Sequence, residues 1–206
     1  MIRRIAAVVL TLGGLALLVL AWQAHAWPGR LAADDLRFSV APGAEELWNA
    51  PRGPGAGLAK HMLALDDDIR FRKVEQQFVQ VHVGARTYAE EAQRLAAFGE
   101  AQSALEQLSR TDPSPARRSR AANLLGILLW ENGQTAQENA PLLLRQSVAA
   151  FRRSIRAAPG TSDAKYNLEL LLTVLQPQSE RRTDAPEDTG GGGLQGAGAA
   201  GRGKGY

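Results

Sequence analysis

Three consecutive carboxylates, Asp66, Asp67 and Asp68, form the densest set of ligand-capable groups in this sequence. A divalent cation needs several oxygens converging on one point, whereas successive helical residues diverge by about 100° each, so the triplet reads as a solvated helix face. His61 and His82 flank it, but neither has a carboxylate at metal-helix spacing and neither belongs to an H-E-x-x-H motif. The serines stand in no G-x-S-x-G or S-x-x-K setting, which leaves nucleophilic catalysis without support. Lacking cysteine, the chain can form neither a disulfide nor a thiolate metal site. A cell-wall hydrolase is the remote alternative, since the acid/base pair it requires is not evident. The residue types therefore point to binding and assembly, with no catalytic residue, metal or cofactor expected.

The elements that would position a binding surface begin with an apolar run. From Ile5 to Trp22 no residue is charged, a length just sufficient to cross a bilayer core of roughly 30 Å. Arg3 and Arg4 precede the run, and Trp22 and Trp27 stand where amphipathic rings settle at an interface. This pattern predicts a retained single-pass anchor (residues 1–27) in a cell membrane, with the N-terminus cytoplasmic and the rest extracytoplasmic. The competing reading is a signal peptide cleaved after Ala26, because Ala24-His25-Ala26 has the small-x-small form. Net charge is only +3, and Arg3 and Arg4 account for most of it, so no basic face for nucleic acid is expected.

Residues 28–57 contain Pro28, Pro42, Pro51 and Pro54 among scattered glycines and read as a juxtamembrane linker, with a short helix near Ala44 to Asn49. From Leu58 the apolar positions Met62, Leu65, Ile69, Val74, Phe78 and Val81 follow one face of a long amphipathic helix. A second helix is expected from Arg86 to Arg110, closing an antiparallel hairpin that turns near Gly84. Ala121 to Trp130 is a strongly apolar helix that Asn132-Gly133 should end, followed by a polar connection over Glu131 to Ala140. The next helix starts at Pro141 and stops at Pro159-Gly160. A last one, with Tyr166, Leu168 and Leu171 among its apolar residues, is expected to close at Pro177.

In this central stretch Leu125-Gly126, then Ser147 and Phe151, then Pro159, resemble the tetratricopeptide repeat, a two-helix unit of about 34 residues. Tyr166-Asn167-Leu168 is similar to the opening of a following unit. Leu125 and Leu168 are farther apart than one period, and Glu169 stands where a small residue is preferred. The fold class expected is all-α: an N-terminal transmembrane helix, a short degenerate tetratricopeptide-like domain over residues 58–177, and a disordered glycine-rich tail over 178–206. In such repeats the first helix of each unit lines a concave groove. The resemblance thus implies a partner-binding groove at Arg120, Asn123, Ile127, Trp130 and Tyr166.

The anchor, the degenerate repeat, the string from Asp163 to Leu172 and the glycine-rich end together resemble small membrane proteins associated with bacterial MoxR-type AAA ATPases and von Willebrand factor A proteins. That resemblance implies an accessory role in assembling or maturing envelope proteins, with components of those systems as protein partners and membrane lipid around Ile5 to Trp22. A purely structural subunit, held through the anchor and the first long helix, is the alternative. The terminal Lys204-Gly205-Tyr206 reads either as a flexible end or as a short peptide ligand.

Overall fold

A computed structural model describes residues 2–84, 91–136 and 138–183. The tail ligand at Lys204 to Tyr206, and Arg86 and Tyr88 of the second expected helix, lie outside them. The described residues form helices α1 (Ile2–Val40), α2 (Ala56–Met62), α3 (Asp66–Gly84), α4 (Glu91–Thr111), α5 (Pro115–Thr135), α6 (Ala140–Ala157) and α7 (Ser162–Thr183), without a strand. Packing divides the chain into Met1–Leu171 and Leu172–Tyr206. Both hydrophobic cores belong to the first unit.

α1 is long and apolar enough to cross a membrane, and its most apolar window is only 6% buried. That exposure separates it from the core helix of a water-soluble protein. The helix does not stop at Pro28 but runs to Val40, so residues 28–40 are not a linker. An interior proline removes a backbone hydrogen bond and costs about 3 kcal/mol. Burial offsets that cost: Trp27 is 0% exposed, and Leu31 and Asp34 are buried one and two turns further on. Trp27 and Leu31 pack with Leu47, Trp48, Ala59 and Ile69 in a satellite core. The expected helix near Ala44 to Asn49 is instead a set of turns in which Glu46 and Trp48 adopt positive φ.

The amphipathic segment from Leu58 is two helices. Ala64 takes φ 52, and the amides of Leu63 and Leu65 bond back to Ala59 and Lys60. This break lets Ala59 of α2 and Ile69 of α3 reach the same satellite core. Beyond it, Phe71, Val74, Phe78 and Val81 of α3 meet Ala101, Leu105 and Leu108 of α4 and Leu125, Leu128 and Leu129 of α5 in the main core.

α5 begins earlier than the apolar pattern indicates. Ser114 caps it, its Oγ accepting from the Arg117 amide at 3.4 Å, and Pro115 occupies the first turn. It also ends later, at Thr135, which shortens the enlarged connection expected over Glu131 to Ala140. Gly133 is therefore not a left-handed stop. It is buried inside the helix, where an added Cβ would lie 3.2 Å from Leu144 of α6. About two turns earlier, a Cβ on Gly126 would come within 2.5 Å of the Phe151 ring, so only glycine admits that ring. Ser147 Oγ donates to the Gly126 carbonyl at 2.7 Å across the same interface. α4 is tied to α6 by Arg153, which donates to Glu106 at 2.7 Å and to Ser109 at 3.0 Å. Partial burial opposes the Glu106 charge, but Arg153 and Arg110 outweigh it and hold its carboxyl below the ordinary value. α7 passes Pro177, the expected point of closure, and continues to Thr183; the proline withholds one backbone hydrogen bond without ending the helix.

Candidate recognition cleft

A cleft of about 460 Å³ opens between the C-terminal end of α1, α3 and the first turns of α5. Asp35 and Phe38 come from α1, Trp48 from the turns that follow, Asp68, Phe71, Arg72 and Glu75 from α3, and Ala116, Arg117 and Arg120 from α5. Each helix contributes residues three or four apart, Phe71 and Arg72, and Ala116 and Arg117, being neighbours in addition, which is how one helical face reaches a shared opening.

The charges form a connected series. Asp35 accepts from Trp48 Nε1 at 2.8 Å and pairs with Arg72. Arg72 Nε donates to Asp68 at 2.9 Å, and the other oxygen of Asp68 lies 3.9 Å from Arg117. Arg117 Nε donates to both oxygens of buried Asp112 at 3.0 Å, and Arg120 pairs with Glu75. Burial works against the Arg72 charge, yet hydrogen bonds to Asp35 and Asp68 hold its pKa above the ordinary value. Phe38 meets Trp48 edge to face at 5.3 Å, giving the cleft an aromatic wall.

Every lining carboxylate has a guanidinium partner, and the lining carries no hydroxyl, thiol or amine. The cleft thus sets guanidinium donors and carboxylate acceptors beside aromatic edges. Arg120, the more exposed member of its pair with Glu75, is held weakly, since an exposed ion pair contributes only about 0–1 kcal/mol.

The five groove residues expected from the sequence do not line this cleft together. Arg120 alone does. Asn123 is buried and accepts from Asn167 Nδ2 of α7 at 3.1 Å, so it joins two helices. Ile127 packs half-buried on the main core. Trp130 is half-buried, and its Nε1 is shielded from solvent with no acceptor among the described residues. Tyr166 is 65% exposed on α7. The acidic triplet also divides: Asp66 pairs with Lys60 at 2.6 Å, Asp67 with Arg70 at 3.2 Å, and only Asp68 enters the cleft. Both histidines gain a carboxylate beyond metal-helix spacing, His61 with Asp66 at 3.6 Å and His82 with Glu131 at 2.8 Å. Among the described residues no group of three metal-ligating side chains forms.

Asp35, Trp48, Arg72 and Glu75 carry no distinctive mark in the sequence. The only local signal is Asp68 four residues before Arg72 and Arg72 three before Glu75, a spacing that also describes an ordinary solvated helix face. Compared with known proteins, the chain matches no family model, and no curated protein or solved structure aligns with it significantly.

Proposed function

We propose that this chain is a membrane-anchored, non-catalytic protein–protein interaction module of tetratricopeptide-like build. Its role is the assembly or maturation of a bacterial envelope complex, and its partner is a von Willebrand factor A protein or a component of a MoxR-type system. The proposed orientation places the N-terminus in the cytoplasm and the helical domain outside the membrane. The observation carrying this reading is that α1, apolar enough to cross a membrane, also supplies Asp35 and Phe38 to the cleft. Membrane attachment and recognition then reside in one continuous helix. The close meeting of Gly126, Ser147 and Phe151 supports the repeat-like build, because those are the positions on which the resemblance rests.

A photo-crosslinking residue at exposed Ala116, within the cleft lining, tests this in cells, with the same residue at exposed Lys165 as control. Defined adducts with one partner are expected at Ala116 and not at Lys165. They should disappear with Arg120→Glu and also with the exchange Arg120→Glu/Glu75→Arg, which preserves the internal ion pair. Adducts that are the same at both positions, or indifferent to Arg120, would refute the cleft as the docking surface. A second reading, a purely structural subunit, draws on Gly13 and Gly14, where an added Cβ would meet nothing within 4 Å. A glycine pair on an exposed apolar helix permits close approach of another membrane helix.

A further inference from the structure

We propose that α2 seats the domain on the bilayer, with Leu58, Met62 and Leu63 lying beside Trp22 in the headgroup–acyl boundary of the membrane that α1 crosses. This rests on the reading of α1 as a membrane anchor.

The start of α2 is fixed in height along α1. Gln23 Nε2 donates to the Pro54 carbonyl and Trp27 Nε1 to the Ala56 carbonyl, each at 3.3 Å. A Cβ on Gly55 would lie 3.8 Å from Val19 Cγ1. The connection into α2 is thus fastened between Val19 and Trp27, about 12 Å of helix axis at 1.5 Å per residue. Trp22, where the uncharged run ends, falls inside that interval.

Close approach is built into the same connection. Gly53 and Gly55 adopt φ 125 and 80, and a Cβ on Gly53 would meet Gln23 Nε2 at 2.9 Å. Side chains other than glycine are disfavoured at both positions, by conformation and at Gly53 by space as well. The segment is consequently held tightly against α1.

α2 is also turned opposite to a water-facing amphipathic helix. Its alanines Ala56 and Ala59 are buried, while Leu58 and Met62, four apart and on one flank, are 58% and 65% exposed. Leu63 and Trp22 are exposed as well. Large side chains pointing outward and small ones inward is the arrangement a lipid contact favours, with the apolar flank in the acyl boundary. Lys60 is half-buried and neutralised by Asp66, whose carboxyl that hydrogen bond lowers below the ordinary value. The pair gives this end of the helix a polar head suited to the headgroup layer. Aromatic residues such as Trp22 concentrate at the same depth.

The absence of native cysteine makes single-site labelling direct. Leu58→Cys, Met62→Cys, Leu12→Cys on α1 and Lys73→Cys on exposed α3 surface are each labelled with a nitrobenzoxadiazole probe. The full chain is then reconstituted into phosphatidylcholine–phosphatidylglycerol vesicles with or without bromine along the acyl chains. Blue-shifted emission with bromine quenching is expected at residues 12, 58 and 62 and not at 73. Quenching at 12 but not at 58 and 62 overturns the seating and leaves the anchor standing. Absence of quenching at 12 overturns the anchor reading and the seating with it, whatever the other labels report. Quenching equal at 73 and 62 shows general adsorption of the domain and likewise refutes a seat specific to α2.

Discussion

At the scale of single residues, Gly126 is the position where sequence and packing agree most closely. The Phe151 ring is completely buried and occupies the space where any other residue at 126 would place its Cβ. Gly126→Ala gains about 1 kcal/mol of helix propensity but forces overpacking that typically costs about 1–3 kcal/mol. Net destabilisation is expected, read as a lower urea midpoint for the detergent-solubilised full chain by circular dichroism. Adding Phe151→Leu should recover part of the loss by vacating space. A midpoint unchanged by Gly126→Ala would mean the ring yields without strain. Gly126, Ser147 and Phe151 stand out in the sequence only through the resemblance to a repeat motif; their contact with one another is a finding of the structure. Asn123 and Trp130 show what helical spacing alone leaves open. Helical spacing places them on one face, but whether a face is open depends on what packs there. For Asn123 the answer is Asn167, 44 residues away.

Among the elements, α1 departs most from the sequence expectation. Its apolar first half is readable from composition, whereas Pro28 signals an end that does not occur. The signal is local and the override is not: Asp34 Oδ2 accepts from the Trp48 amide at 2.9 Å, and Gln76 Nε2 donates to the carbonyls of Pro42 and Ala44 at 3.1 and 2.8 Å. These bonds hold the segment after α1 against both α1 and α3. Asp34→Ala leaves a buried backbone donor unpaired, an effect of about 1–3 kcal/mol. The consequence expected is faster proteolytic cleavage within residues 41–55, mapped by mass spectrometry, while the α5–α6 pair stays protected. Cleavage at the wild-type rate would show that Asp34 does not fasten this segment. Gly133 behaves similarly, since a glycine after an apolar run is read as a stop, yet here it lies within the helix and packs closely against Leu144. α5 keeps its hydrogen bonds for that extra stretch, and the connection shortens accordingly.

For the whole molecule, the proposed function turns on whether a membrane anchor and a docking cleft would be separable. A flexible linker would have made the anchor an interchangeable tether. Instead α1 continues through Trp27 and Leu31 into the satellite core and ends at the cleft, so the domain has a fixed relation to the helix that carries it. Replacing residues 5–22 by an unrelated apolar helix distinguishes the two readings. An interaction module should retain its Ala116 adducts, because the cleft lies beyond the exchanged segment, whereas a structural subunit held through Gly13 and Gly14 should lose its co-purifying proteins. An all-helical chain and one apolar segment of membrane-spanning length follow from composition and short-range periodicity. How far α1 extends, which carboxylate meets which guanidinium, and what packs on Asn123 follow instead from contacts between distant segments. Those outcomes rest on contacts such as Asp35 with Arg72, 37 residues apart. A short-range pattern specifies the face a residue occupies on its own helix and carries no information about the distant segment that will cover it.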